Sequence, residues 1–230
     1  MLRLRVQAPF ATFRTFTAGS FRPSAPFITY SAAYGLLLNL AGREMRAPDN
    51  GKSAMTTIAT GLPKFELALG ACGALPAAQS LYQQLHNYPV GNSGKEREAS
   101  TRGNKYNITP ARRVVLHRLN ALLALRGDDE LEADILAGLR GEKPRKYGLP
   151  FLGDNNFLPD RIEPAEAAVQ ARWLSLLEEG AALADLAEGA MRLTLSIDRA
   201  DMSNTRSDLF SLGDQESESP PESAWVVVGY

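Results

Sequence analysis

Residues 2–42, LRLRVQAPFATFRTFTAGSFRPSAPFITYSAAYGLLLNLAG, constrain the fold more tightly than any other part of the chain. Leu2, Leu4 and Val6 alternate with Arg3, Arg5 and Gln7, the period of a strand with one buried face, so residues 2–8 are predicted to be a strand. An aromatic and basic loop follows through residue 28, where Pro9, Pro23 and Pro26 prevent an amphipathic helix. That argues against an organellar leader, although the stretch is rich in Arg, Ser and Thr, and folded structure is read from residue 1. Thr29 or Ser31 then caps a helix in which Ala33, Leu36, Leu37 and Leu40 recur at helical spacing, with Gly42 placed to stop it.

The same stretch holds four arginines, no acidic residue and seven of the chain's sixteen Phe and Tyr side chains. Cations interleaved with flat rings suit a phosphate backbone carrying unstacked bases. The charge map extends the pattern. Residues 1–119 carry 15 Lys+Arg against 5 Asp+Glu, and residues 120–230 carry 10 against 21, so the halves stand at +10 and −11 behind a net charge of −1. The expectation is a dipolar protein that holds a polyanion on one side and meets a basic partner on the other.

Other classes are poorly served by this composition. Cys72 is the single cysteine, so no intramolecular disulfide forms, and His86 and His117 are too few for a zinc or haem site built from the usual ligands. No cofactor is expected. No apolar stretch approaches the roughly 18 residues of a membrane helix, and the chain is expected to work in a reducing bacterial cytoplasm, with no membrane partner.

Further along, residues 64–70 read as a strand and 75–85 as a helix. Residues 88–110, rich in Gly, Ser and Asn and carrying Lys95, Arg97, Arg102 and Lys105, read as a projecting hairpin or a mobile loop. RRVVLHRLNALLALR, residues 112–126, is ambiguous. Thr109, Pro110 and Gly127 frame a helix, the run of Val and Leu permits a long buried strand, and local rules lean to helix. DDELEADILAGLRG is a clearer helix, with acids in its first turn, Leu131, Ile135 and Leu139 every four residues and Gly141 at its end. Residues 147–157 read as tight turns around a short strand, 163–178 as a helix containing Trp173, 191–198 and 225–228 as strands, and DQESESPPES as an exposed linker.

Three segments resemble the CRISPR-associated Cas-five family, and within it the Myxococcus-type, developmental-protein-like branch: APFATFRTFTAGSFRPSAPFITYSAAYGLLLNLAG, KYGLPFLGDNNFLPDRI and RLTLSIDRADMSNTRSDLF. The likeness touches residues 1–43, 105–161 and 190–230. It implies an α+β fold with a ferredoxin-like, RRM-related palm (residues 1–87 and 111–161), an inserted basic thumb hairpin (88–110) and a C-terminal α/β extension completing the sheet (162–230). On that model residues 112–126 are a strand. It also implies a noncatalytic subunit of a type I Cascade effector that caps the 5′ handle of the guide RNA (crRNA), contacts the backbone and large subunits, and meets target DNA only indirectly. The candidate RNA-contacting residues are Phe13, Arg14, Arg22, Tyr34, Lys95, Arg97, Arg102, Lys105, Arg112, Arg113 and Arg118.

The alternative is a metal-independent endoribonuclease that processes precursor guide RNA, as one branch of that family does with a tyrosine from the palm and a basic residue followed by histidine at the start of the long third strand. Such cleavage needs a base for the 2′-hydroxyl and a donor for the leaving oxygen. The matching place here holds Arg112 and Arg113, whose guanidinium groups stay protonated, and His117 lies several residues on. No P-loop, GxSxG or HExxH motif occurs. Asp198 and Asp201 lack a third carboxylate at ligand spacing and read as a polar turn at a subunit contact.

Overall fold

The computed structural model describes residues 1–15, 21–48, 56–87, 107–146, 148–177 and 189–230, with the backbone alone at 83–87 and 107–110. The fold is mixed: a large, mostly antiparallel sheet with two α-helices among the described residues. The strands are β1 (Leu2–Ala11), β2 (Phe21–Arg22), β3 (Phe65–Ala71), β4 (Ala77–Asn87), β5 (Asn107–Arg126), β6 (Arg161–Pro164), β7 (Ala171–Leu176), β8 (Met191–Ser196), β9 (Arg206–Ser217) and β10 (Val226–Val228). The helices are α1 (Tyr30–Leu40) and α2 (Asp129–Leu139).

The sheet runs β6-β1-β5-β3-β7-β9-β8, with β10 on β3 and with β2 and β4 on β5. Every neighbouring pair is antiparallel except β2 with β5. β5, 20 residues long, is the spine. Its second half lies between β1 and β3, while its first half leaves the body of the sheet as a ribbon with β4, in continuous register from Asn87↔Asn107 to Ala77↔His117.

The alternation of β1 places Leu2, Leu4, Val6 and Ala8 in the main core with Leu67 and Leu69 of β3 and Leu119, Leu123 and Leu125 of β5. α1 closes that core. It is apolar nearly all round because β8 and α2 flank it as well as the sheet. The Thr29 hydroxyl caps it by accepting the N–H of Ala32 at 3.2 Å. α2 carries Asp129, Glu130 and Glu132 in its first turn and an Asp128 cap, and lies so close to α1 that a Cβ on Gly138 would stand 1.7 Å from the Leu40 carbonyl oxygen. A smaller cluster of Ala68, Leu122, Ala124, Ala171, Trp173 and Ala224 covers the other face.

Several local expectations are overturned. Residues 77–87 are strand, not helix, because pairing along all of β4 outweighs the helix propensity of Ala, Gln and Leu. The helical lean of residues 112–126 fails likewise, and Pro110 sits within β5. Residues 163–178 contribute β6 and β7, with Trp173 on a strand, so that among the described residues the C-terminal region has no α-helix. The described part of residues 147–157 is turn without a strand, held by Leu152 N–H to the Phe157 carbonyl at 2.8 Å. The acidic tract is partly ordered, since β9 reaches Ser217.

Folding joins part of the two oppositely charged halves. The first-half Arg43 pairs with Asp134 and Glu130, Arg113 with Asp154, and the N-terminal amine with Glu132, while Glu66 of the first half takes Arg126 of the second. The two halves interleave through β1, β5 and β6.

Candidate nucleic-acid interface

The first half of β5 and its neighbours carry four of the described cations that form no ion pair among the described residues, Arg14, Arg22, Arg112 and Arg118. β2 runs parallel to β5 with Phe21 beside Arg112 and Arg22 beside Arg113, and a bridge between Arg14 and Ser24 ties the end of the N-terminal segment to the same place. Two adjacent arginines then diverge. Arg113 is 4% exposed, donates to Asp154 at 2.5 Å and lies over the Phe157 ring at 5.4 Å. Arg112 points the opposite way, as the alternation of a strand demands, and is exposed. Its Nε donates to Ser80 Oγ at 2.7 Å and its guanidinium lies 5.4 Å from the Phe21 ring centroid.

Asp154 reaches Arg113 from the turn after Leu152. Gly153 lets that turn approach: its φ is +80° and a Cβ there would stand 1.6 Å from the Thr12 carbonyl oxygen. Burial raises the Asp154 pKa, but the Arg113 hydrogen bond, the Asn156 N–H and the charges of Arg113 and Arg14 together hold it below the usual carboxylate range.

At the other end of the ribbon, Arg118 has φ +60°, the one non-glycine with positive φ among the described residues. It sits opposite Pro9, between the pairs Ala8↔Leu119 and Phe10↔His117. Phe10, half exposed, meets His117 at 5.8 Å and Phe157 at 6.5 Å between ring centroids.

The candidate residues therefore separate. Arg14, Arg112 and Arg118 are exposed and Arg22 half-buried, and none of the four forms an ion pair among the described residues. Phe13 and Tyr34 are corrected to core residues at 2% and 1% exposure, with the Tyr34 hydroxyl donating to the Pro63 carbonyl at 2.8 Å and its ring stacked on Phe65. Arg113 holds the Asp154 turn. Lys95, Arg97, Arg102 and Lys105 lie outside the described residues. Two rings that sequence reasoning did not single out, Phe21 and Tyr82, flank Arg112; the signal for Tyr82 was available only through the register Tyr82↔Arg112.

Of the N-terminal arginines, Arg3 and Arg5 are structural. Arg3 donates to the carbonyls of Glu166, Ala167, Val169 and Glu218, and Arg5 to Asn120 at 3.0 Å. Tyr30 is fully buried beside Phe210, and burial pushes both its phenol and that of Tyr34 well above the ordinary range. Asp198 and Asp201 are occupied within their own turn: Asp198 accepts the N–H groups of Ala200 and Asp201, and Asp201 that of Ser203. Among the described residues no group of three His, Cys, Asp or Glu gathers as a metal cluster, and no helix is long and apolar enough to cross a membrane.

Arg112, exposed between the open rings of Phe21 and Tyr82, defines a candidate surface for a polyanion with flat bases. The chain belongs to the family described as CRISPR-associated protein (Cas_Cas5), whose model matches residues 1–140. Its backbone is similar to a chain of a solved structure described as a "CRISPR RNA-guided surveillance complex", with a TM-score of 0.53 and 18% identity over 94% of this chain and 90% of that one, a likeness of fold. A second solved chain, "Crystal structure of Cas protein", aligns at a TM-score of 0.39 and 15% identity over 94% and 93% of the two chains. No curated protein matches the sequence.

Proposed function

We propose that the chain is the noncatalytic subunit of a type I Cascade effector, of the Myxococcus-type branch, that caps the 5′ handle of crRNA and contacts the backbone and large subunits. The observation that carries this reading is the exposed Arg112, which forms no ion pair among the described residues and lies 5.4 Å from the half-exposed ring of Phe21, with Arg14, Arg22 and Arg118 of the neighbouring segments likewise without ion pairs among the described residues. The order β6-β1-β5-β3, antiparallel throughout and linked by α1 and α2, supports a ferredoxin-like palm, with the β4–β5 ribbon as the root of the thumb. The match to the Cas-five family model and the fold likeness to a surveillance-complex chain support the Cascade assignment.

RNA binding is tested by titrating single-stranded guide RNA at increasing salt. Each neutralised phosphate adds about 0.7 to the slope of log affinity against log salt, so Arg14→Ala with Arg22→Ala lowers the slope by about 1.4. A flat response in the unaltered chain, or an unchanged slope in the double variant, overturns the reading.

The chain is further proposed not to cut RNA. Tyr30 and Tyr34 are sealed in the core, and Tyr82, five positions from the residue paired with His117, faces the other side of the ribbon. Incubation with precursor guide RNA in EDTA checks this. A new 5′-hydroxyl product that disappears with His117→Ala would promote the ribonuclease alternative.

A further inference from the structure

We propose that Phe21, Arg112 and Tyr82 form a binding site for one unpaired nucleotide of single-stranded RNA, with the base on the ring of Tyr82 and its phosphate on the guanidinium of Arg112. The proposal rests on the RNA-binding reading and adds where and how one nucleotide is held.

The three residues share one row of the sheet, Phe21↔Arg112 on one side and Arg112↔Tyr82 on the other. Neighbouring strands stand about 4.8 Å apart and paired residues project to the same face, so the two rings flank the arginine on one surface. Arg112 is held before any ligand arrives: Phe21 lies under its guanidinium at 5.4 Å, and Ser80 takes the Nε proton at 2.7 Å. Using Nε for the serine leaves both terminal amino groups, the donors that fork onto a phosphate. A cation with restricted rotamers loses less entropy on binding.

Tyr82 is 82% exposed, the most open large apolar side chain among the described residues. β4 pairs only with β5 among the described strands, so no neighbouring strand covers its outer edge. Its same-face neighbours Ser80 and Arg112 are polar, and the exposed Leu81 turns to the opposite face, which gives a protein partner little apolar surface to bury on this face, whereas an open ring suffices for a base. Neither residues 77–87 nor 107–117 include an Asp or Glu to repel a phosphate.

The test uses the full chain and a single-stranded guide oligonucleotide carrying 2-aminopurine at successive positions. One position is quenched on binding to the unaltered chain and not to Tyr82→Ala. Tyr82→Ala weakens binding roughly tenfold with an unchanged salt slope, as loss of one base stack should, and Tyr82→Phe or Tyr82→Trp restores it. Arg112→Ala instead lowers the slope by about 0.7, and Phe21→Ala weakens binding less than Tyr82→Ala does. Should Tyr82→Ala misfold, Tyr82→Gln carries the same comparison. Normal affinity in the Tyr82 variants, while the unaltered chain keeps its steep salt dependence, refutes this site and leaves the RNA-binding reading standing. Absence of RNA binding by the unaltered chain refutes both. Variants that bind RNA normally but fail to join the effector would make the row a protein contact and overturn the proposal.

Discussion

The two halves of β5 belong to one continuous strand and obey different rules. From Leu119 to Arg126 the strand lies between β1 and β3, with Leu119, Leu123 and Leu125 in the main core and Leu122 and Ala124 in the smaller cluster on the opposite face. From Asn107 to His117 it runs in the β4 ribbon, and there the alternation separates Arg112 from Arg113, one open and one sealed. Identical side chains one residue apart thus acquire different duties, set by which face the body of the protein covers. A charge count along the sequence cannot make that distinction.

The largest effect that would break this comparison is on stability. Arg113→Ala leaves the Asp154 carboxylate, itself mostly buried, without its cation, a change that costs about 3 kcal/mol or more. Arg112→Ala, on the exposed face, should stay within about 0.5 kcal/mol of the unaltered chain. Urea unfolding of the two variants measures the difference directly. Comparable losses would mean that Arg112 is also a structural residue, and would remove it from the candidate interface.

How much could be read beforehand follows the same division. β1, α1 and α2 were legible from local signals, the alternation of Leu2, Leu4 and Val6 over one buried face, the cap at Thr29 and the acids ahead of Leu131, and β3, β8 and β10 from short apolar runs. β4 was illegible because the described side chains from Ala77 to Tyr82 are all exposed, which leaves no apolar period and lets the helix propensity of Ala, Gln and Leu mislead. The second half of β5 failed for the opposite reason, since burial on both faces yields a continuous apolar run that fits helix as well as strand. β7 reads as helix around Trp173 until the pairing with β3 and β9 is known. Within the candidate site, the exposed Arg14 stood out in the aromatic and basic N-terminal stretch and Arg112 at the place marked by the family resemblance, while the burial of Phe13 and Tyr34 and the alignment of Tyr82 with Arg112 depend on contacts distant in sequence.

A second test sharpens the role of Asp154. Its pKa is held below the ordinary carboxylate value, so the carboxylate contributes stability fully above the unfolded pKa of about 3.9, and that contribution is lost as pH falls through the lower folded pKa. Asp154→Asn should therefore be less stable than the unaltered chain near neutrality, with the gap closing below about pH 4. Asp134, lowered by its hydrogen bonds to Lys143 and Arg43, retains its own acid sensitivity in that variant. Denaturant midpoints measured between pH 7 and pH 2 give the comparison. A gap that stays constant with pH would mean that the Arg113–Asp154 pair contributes packing without electrostatics.

The smallest expected effect lies at the junction of the two halves. Arg118 adopts φ +60° opposite Pro9, where no proline N–H is available to the ladder, and a left-handed conformation costs an L-residue about 1–2 kcal/mol. Glycine adopts it without strain but is freer when unfolded, so Arg118→Gly should stabilise the chain by only about 0.5–1 kcal/mol. Arg118→Ala keeps the strain and removes the charge. If Arg118 contacts a phosphate, both substitutions lower the salt slope of RNA binding by about 0.7, although only one relieves the backbone. Should Arg118→Gly destabilise the chain while leaving the slope intact, the arginine would be there to support the bend, and the boundary between the structural and open halves of β5 would move toward Arg112.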